Sequence, residues 1–320
     1  MKYDPILIVN GEPNSIFFEI LFKTLKKIKI KSPLVLIGSY NLLKFQMDHF
    51  KFRYKVKLID KQKILHEKIN KNVINLINVD YKFSNKLKKI SKNSKNYIDT
   101  CFGIALELLN KNFTKKFING PISKNKYLNK KYLGITEFLV KKTKTKKYAM
   151  IIFNKKLSVA PITTHLPLKK VSKKITKKII IEKIRLIHDF YKKNLKIKPK
   201  IAITGLNPHC ESNDKFNEEQ KIIIPSIKYL RKRGFDASGP FSADTLFLKN
   251  IRKKFNIIVG MYHDQVLGPM KTIFEFKAIN ITAGLPFIRI SPDHGPNEKM
   301  LGKNISNPES LMKAIKFLDY

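Results

Sequence analysis

Residues 256–295 read NIIVGMYHDQVLGPMKTIFEFKAINITAGLPFIRISPDHG and combine a buried-strand pattern with polar side chains suited to ligand binding. The apolar run 257–259 predicts a buried strand. In open α/β sheets, ligands bind at the carboxyl ends of strands. The polar side chains that follow the run are His263, Asp264, Lys271, Asn280 and Arg289. A candidate metal ligand, an acid, an amide and two cations thus lie close together in the sequence, and we expect other segments to contribute to the same site.

Short apolar runs alternate with amphipathic stretches along the chain. The strand-like runs are 5–9, 34–37, 56–59, 73–79, 117–118, 148–153, 157–162 and 201–204. Helical spacing separates most of them, and this alternation predicts an α/β fold with parallel strands. The two runs on either side of 154–156 predict a β-hairpin. Residues 82–96 are polar and predict a surface loop or helix start, and 239–245 predict a loop that carries Asp244.

Length and composition limit the class of protein. The 320 residues suffice for one large or two medium domains, and the hydrophobic fraction of 43% is ordinary for a folded chain. Two cysteines provide no disulfide framework. Met1–Asp4 lead directly into a strand-like run, so we expect no signal peptide. No apolar run approaches the length of a membrane span. We therefore expect a cytoplasmic protein with no membrane partner.

The charge is strongly positive, with 65 Lys and Arg against 24 Asp and Glu and a formal net charge of +41. Such a balance suggests a nucleic-acid or anionic partner. The lysines are nevertheless dispersed over the whole chain among many Asn and Ile residues, which indicates a compositional bias. No zinc-finger or RNA-binding signature accompanies them. We therefore predict no nucleic-acid partner, although an anionic substrate would be attracted.

Three of the seven histidines share a sequence context. His165, His209 and His263 each follow a predicted strand, beside a turn residue or an acid. Strand ends of one sheet share an edge, so the three imidazoles could converge on a divalent cation and leave it an open position. Each could equally be a hydrogen-bonded structural residue, and the irregular spacing alone leaves both interpretations open.

The common cofactor motifs are absent from the sequence. It contains no G-x-G-x-x-G, no G-x-x-x-x-G-K-[ST] and no G-x-S-x-G. The residues by themselves therefore predict an α/β enzyme with a metal site and with cations suited to a phosphate or carboxylate.

Five separate motifs, in order, resemble one enzyme family. They are Thr163–Leu168 (TTHLPL), Gly205–His209 (GLNPH), Ala243–Phe247 (ADTLF), Met261–Gln265 (MYHDQ), and Asn280–Arg289 (NITAGLPFIR) followed by Asp293–Gly295 (DHG). This pattern is similar to that of the 4-hydroxythreonine-4-phosphate dehydrogenase (PdxA) family of vitamin B6 biosynthesis. The motifs span most of the chain, and the N-terminal third matches more loosely.

The resemblance implies a fold like that of the isocitrate and isopropylmalate dehydrogenases, with two α/β/α domains and a cleft between them. We expect residues 1–132 plus 296–320 to form the first domain and 133–295 the second. The resemblance also implies NAD(P) bound without a Rossmann fingerprint. It further implies a homodimer with the active site at the subunit interface, and one divalent ion (zinc, magnesium or cobalt) per site.

The family's site residues can be carried over one by one. The metal ligands fall on His165, His209 and His263. The substrate contacts fall on Thr136, Lys271, Asn280 and Arg289, and the acids near the reacting centre on Asp244 and Asp264. The implied reaction is oxidation of 4-phosphooxy-L-threonine to 2-amino-3-oxo-4-(phosphooxy)butanoate, which loses CO2 to give 3-amino-2-oxopropyl phosphate.

Three departures from the family pattern affect the activity expected. Ser15 and Phe17 replace two glycines in the segment 11–20, and 210–215 replace a glycine-rich loop. Ile135 stands where the family has a histidine that contacts substrate. Two other functions therefore remain open. One is a related metal-dependent dehydrogenase of another phosphorylated hydroxy acid, and the other is a decayed homologue without turnover.

Overall fold

The computed structural model describes residues 3–83, 87, 94–123, 127, 132, 134–211 and 216–320. The strands are β1 (Ile6–Val9), β2 (Leu34–Gly38), β3 (Val56–Leu58), β4 (Ile74–Asn78), β5 (Lys116–Asn119), β6 (Ala149–Phe153), β7 (Ser158–Thr163), β8 (Ile201–Thr204), β9 (Ala237–Phe241), β10 (Ile257–Tyr262), β11 (Ile279–Ala283) and β12 (Ile288–Pro292). The α-helices are α1 (Phe17–Lys27), α2 (Tyr40–His49), α3 (Lys95–Asn110), α4 (Ile135–Lys142), α5 (Val171–Lys174), α6 (Lys177–Phe190), α7 (Ile224–Lys232), α8 (Ala243–Leu246), α9 (Lys249–Arg252), α10 (His263–Phe274) and α11 (Glu309–Leu318). The predicted α/β class is confirmed.

The chain folds into two compact units, and the first comprises Met1–Thr143 with Pro286–Tyr320. Its strands run in the order β3-β4-β2-β1-β5-β12, and every pair is parallel. Strands of a parallel sheet covered by helices on its faces are apolar throughout. The β1 strand illustrates this rule, because all four of its residues are buried.

The second unit comprises Lys144–Leu285 and contains both strand directions. Its order is β11-β6-β7-β10-β8-β9. The pairs β7–β10, β10–β8 and β8–β9 are parallel, whereas β6 pairs antiparallel with β7 and β11. The predicted hairpin of β6 and β7 is confirmed, and the general expectation of parallel strands fails for the antiparallel β6–β11 pair. A parallel connection requires a long crossover, and the short turn between β6 and β7 permits only an antiparallel pair.

One segment and the division of the chain into two units differ from the sequence prediction. The predicted loop 239–245 instead contains the end of β9 and the start of α8, because β9 pairs with β8 through Ala237 and Ile201. The units divide at 143/144 and 285/286, whereas the predicted division lay at 132/133 and 295/296. The division differs because Arg289 of β12 pairs with Phe117 of β5 in the first unit.

The predicted polar segment 82–96 lies only partly within the described residues. Residues 84–86 and 88–93 of this segment are outside the described ranges, and α3 begins at Lys95.

Among the helices of the described ranges, none has the length and apolar character that a bilayer crossing requires.

Candidate active site

The three strand-end histidines follow three neighbouring strands of the second unit. The β10 strand lies between β7 and β8, with Tyr262 opposite Thr163 and Val259 opposite Ile203. Because these strands are parallel, their carboxyl ends meet at one edge of the sheet. His165, His263 and His209 all follow at that edge. The shared context predicted from the sequence thus corresponds to a shared location in the fold.

His165 and His263 form a pair. Their ring centroids are 5.7 Å apart, and both side chains are half-buried. His165 has a φ of 52°, in the left-handed region that a non-glycine residue seldom occupies. Such backbone conformations cluster at functional sites. The pair is therefore a candidate for joint ligation of a cation.

Asp264 supports His263 in a way that suits a metal ligand. Its Oδ1 lies 2.7 Å from Nδ1 of His263. When Nδ1 carries the proton and donates it to Asp264, Nε2 keeps a lone pair directed away from the carboxylate. Metal-binding histidines commonly donate their second nitrogen to a carboxylate, which fixes the ring and increases its basicity. The residues present therefore fit a divalent metal ion.

His209 interacts electrostatically with Asp244. It lies exposed in the 3-10 turn Pro208–Cys210 with a φ of 53°. Ser242 donates its hydroxyl hydrogen to Asp244 Oδ1, and this bond lowers the pKa of Asp244, with the nearby His209 lowering it further. Asp244 is consequently a carboxylate at neutral pH, and its charge is available to His209.

Across the described ranges of the chain, no three His, Cys, Asp or Glu side chains are grouped so that they could hold a metal ion. The structure therefore pairs His165 with His263, places Asp264 beside His263, and leaves Asp244 close enough to His209 for an electrostatic interaction. Residues 212–215, in the loop that departs from the family pattern, lie outside the described residues.

The first unit brings two predicted substrate residues into contact. Arg289 on β12 is fully buried and donates from Nη1 to Thr136 Oγ1 at 3.2 Å. It also donates from Nε to Asn119 Oδ1 at 2.6 Å. Burial lowers the pKa of Arg289 to about 9, and the negative charge of Glu137 opposes this shift. The guanidinium therefore remains charged at neutral pH and is held beside the first turn of α4.

The other two predicted substrate residues lie in the second unit. Lys271 is exposed on α10. Asn280 lies on β11, and its Oδ1 is buried without a hydrogen-bond partner among the residues that the structure describes. A buried polar atom without a partner is costly, so Asn280 is suited to receive a donor from a bound ligand.

Sequence reasoning missed three residues that hold these groups in place. Asn119 accepts from Arg289, and its only sequence signal was its position between a strand and a Gly-Pro turn. Gln265, within the MYHDQ motif, joins the ends of β8 and β10 through hydrogen bonds to Thr204, Gly205 and Met261. Glu219 contacts the loop before His209 and gave no signal, because a glutamate in a helical pattern usually faces solvent.

Comparison with known proteins identifies similar chains of nearly full length. Residues 29–318 match the sequence model of a family described as "Pyridoxal phosphate biosynthetic protein PdxA". A 4-hydroxythreonine-4-phosphate dehydrogenase of Sulfurihydrogenibium sp. (strain YO3AOP1) is 41% identical over 318 residues, covering 97% of this chain and 96% of the relative. A D-threonate 4-phosphate dehydrogenase of Salmonella typhimurium (strain LT2) is 30% identical over 322 residues, covering 99% and 98%.

A solved structure agrees with the fold described above. The crystal structure of 4-hydroxythreonine-4-phosphate dehydrogenase from Klebsiella pneumoniae superposes with a TM-score of 0.84 at 28% sequence identity. The match covers 99% of this chain and 97% of the other. Both units of the chain therefore have counterparts in that protein.

Proposed function

We propose, since the chain belongs to the family of the pyridoxal phosphate biosynthetic protein PdxA, that it oxidises 4-phosphooxy-L-threonine with NAD(P)+ in vitamin B6 biosynthesis. The observation that carries the proposal is the 41% identity to a 4-hydroxythreonine-4-phosphate dehydrogenase over 97% of the chain. Oxidation removes a hydride from C3 and a proton from the C3 hydroxyl. The product, 2-amino-3-oxo-4-(phosphooxy)butanoate, is a β-keto acid and loses CO2 to give 3-amino-2-oxopropyl phosphate.

The metal proposal assigns His165, His209 and His263 to one divalent ion (zinc, magnesium or cobalt). The Asp264-supported His263 and its neighbour His165 would supply two nitrogens. Since one chain does not group three ligands within its described residues, we propose that the centre is completed in a homodimer, across the subunit interface. A divalent ion there would polarise the oxygen of the substrate hydroxyl as a Lewis acid.

The remaining residues act on the substrate through charge and hydrogen bonds. Arg289, held beside Thr136, would provide fixed positive charge for the phosphate or carboxylate, and Lys271 a second cation. The buried Oδ1 of Asn280 would accept a hydrogen bond from the substrate. Asp264 Oδ1 would accept a hydrogen bond from the protonated Nδ1 of His263. The ionised Asp244 would accept the hydroxyl proton and pass it to solvent.

The nicotinamide cofactor fits the class of fold. The first unit is an open parallel sheet, and such sheets bind ligands at the carboxyl ends of their strands. The absence of G-x-G-x-x-G means that the pyrophosphate would be held outside a Rossmann loop. NAD(P)+ would accept the hydride when bound. We further propose a cytoplasmic location, in keeping with the metabolic role proposed. We also propose no nucleic-acid partner, because the lysines are dispersed over the chain.

A second candidate function is oxidation of D-threonate 4-phosphate. It is favoured by the full-length match to an enzyme of that name. The two substrates share the phosphate and the C3 hydroxyl but differ at C2, which carries an amino group in one and a hydroxyl in the other. A decayed homologue without turnover is disfavoured, because the three histidines and both cations are present.

The substrate is tested by measuring kcat/KM for both compounds with purified protein supplied with Co2+, Zn2+ or Mg2+, following reduced nicotinamide at 340 nm. A higher kcat/KM for 4-phosphooxy-L-threonine is expected. A clear preference for D-threonate 4-phosphate would replace the first function with the second. His263→Ala should abolish turnover while the protein stays folded, and full activity in this variant would refute the metal assignment.

A further inference from the structure

Glu219 is a buried carboxylate with an unusual set of hydrogen-bond partners. It begins the π-helical turn Glu219–Ile223 and is 0% exposed. Its Oε1 accepts from the backbone N–H groups of Leu206 at 2.7 Å and Asn207 at 2.9 Å. Its Oε2 accepts from Nδ2 of Asn207 at 2.9 Å. Burial alone would raise the pKa of Glu219, but these hydrogen bonds outweigh it and lower the pKa, so the carboxylate stays ionised.

The segment that Glu219 holds leads from β8 to His209. Residues 206 and 207 lie between the end of the strand and the turn Pro208–Cys210 that carries the histidine. The preceding residue, Gly205, leaves no room for the loop to move closer. A Cβ there would lie 2.8 Å from Cys210 Sγ and 3.1 Å from Glu219 Oε1. The loop is therefore packed tightly against the Glu219 carboxylate.

Gln265 also fixes this segment. Two residues after His263, it donates from Nε2 to Gly205 O at 2.8 Å. Its Oε1 accepts from Thr204 Oγ1 at 2.9 Å and from Met261 N at 2.7 Å. The segment leading to His209 thus has a fixed position relative to the helix that begins at His263.

We propose that Glu219 is a positioning residue for His209, an inference that rests on the metal site of the proposed function. By binding both backbone N–H groups of 206–207, the carboxylate sets the course of the chain into the left-handed conformation of His209. The imidazole is then held where the ion requires it, without a hydrogen bond from Glu219 to the ring itself. Groups that orient metal ligands typically change metal affinity by about 10–100-fold when removed.

The test measures Co2+ binding directly, using the purified full-length protein rather than its activity. Glu219→Ala leaves two backbone N–H groups without an acceptor, whereas Glu219→Gln retains one oxygen acceptor. Glu218→Gln is the matched control, because Glu218 accepts from the Asn207 side chain at 3.1 Å and, among the residues that the structure describes, from no backbone N–H of the loop. Competition titration gives the Co2+ Kd, and the visible absorption of bound Co2+ reports its coordination.

The proposal predicts that Glu219→Ala weakens Co2+ binding about tenfold or more and changes the Co2+ spectrum. Glu219→Gln should restore part of the affinity, and Glu218→Gln should bind within about twofold of wild type. All titrations are made well below the melting temperature of each variant. If Glu219→Ala does not fold, the comparison of Glu219→Gln with Glu218→Gln decides the question in the same way.

The possible outcomes distinguish a failure of the role of Glu219 from a failure of the metal site. If wild type binds Co2+ and the Glu219 variants bind it equally well with the wild-type spectrum, Glu219 has only a structural role and the inference is overturned alone. If wild type itself binds no Co2+, the metal site of the proposed function is wrong, and the role of Glu219 that depends on it is wrong as well. Weaker binding confined to the Glu219 variants supports both.

Discussion

Replacing Thr136 by valine should weaken both the fold and substrate binding, because its hydroxyl accepts a hydrogen bond from a buried guanidinium. Arg289 is fully buried and remains charged, and Thr136 is 5% exposed. Valine has nearly the same shape, so the substitution removes the acceptor without opening a cavity. Arg289 retains its bond to Asn119 but loses the Thr136 hydroxyl as an acceptor.

The magnitude follows from the geometry. A hydrogen bond to a charged group contributes roughly 1.5–3 kcal/mol. The Nη1–Oγ1 distance of 3.2 Å lies at the long end of the normal range, so the lower figure applies. We expect the free energy of unfolding to fall by about 1.5 kcal/mol, or roughly tenfold in the unfolding equilibrium constant. The KM for a phosphorylated substrate should rise as Arg289 loses its fixed orientation.

Urea unfolding and steady-state kinetics measure the two effects. Thr143→Val is the matched control at the other end of α4, where the hydroxyl donates to Leu139 O in a bond between neutral groups. That variant should lose less, at most about 1 kcal/mol, and should keep the wild-type KM. If Thr136→Val is no less stable than Thr143→Val and has the wild-type KM, Thr136 does not hold Arg289 in the way described.

Three further predictions concern other parts of the chain. Ile135→His should raise kcat/KM on 4-phosphooxy-L-threonine about tenfold or more, since it restores a hydrogen bond to a charged group; an unchanged or lower value would mean that the pocket is built around isoleucine. Burial lowers the pKa of His294 below its ordinary value of 6.5. Below about pH 6.5 the unfolded chain therefore binds more protons than the folded chain, and the free energy of unfolding should fall as the pH drops from 7 to 5. His294→Gln should flatten this slope in urea unfolding, and a variant with the wild-type slope would contradict the assignment. Binding to DNA or RNA should be weak at low salt and absent near physiological salt, and tight sequence-selective binding there would show a nucleic-acid function.

The sequence predicted the local parts of the fold well, because short apolar runs and their flanking turns depend on neighbouring residues. The β8 strand (Ile201–Thr204) occurs where the pattern placed it. The positions of His165 and His263 just after their strands also follow from local order. The position of β10 between β7 and β8 depends on tertiary contacts, and no periodicity in the sequence predicts it.

The parts that the sequence did not predict depend on contacts between distant segments. Helix α4 and strand β12 both belong to the first unit, where Arg289 donates a hydrogen bond to Thr136. These two residues are 153 positions apart in the sequence. Glu219 looked like a solvent-facing helical residue, and only tertiary packing turns it toward Leu206 and Asn207. The electrostatic interaction of His209 with Asp244 likewise depends on the path of the loop after β8.

The most direct test of the central claim is the stoichiometry of the reaction catalysed by metal-stripped and metal-reconstituted protein. With 4-phosphooxy-L-threonine and NAD(P)+, the reconstituted protein should form one reduced nicotinamide for each CO2 released. The stripped protein should form neither, and a divalent ion should restore both. Reduced nicotinamide formed at the same rate after complete removal of metal would contradict the account, as would no turnover of this substrate by protein that binds the ion.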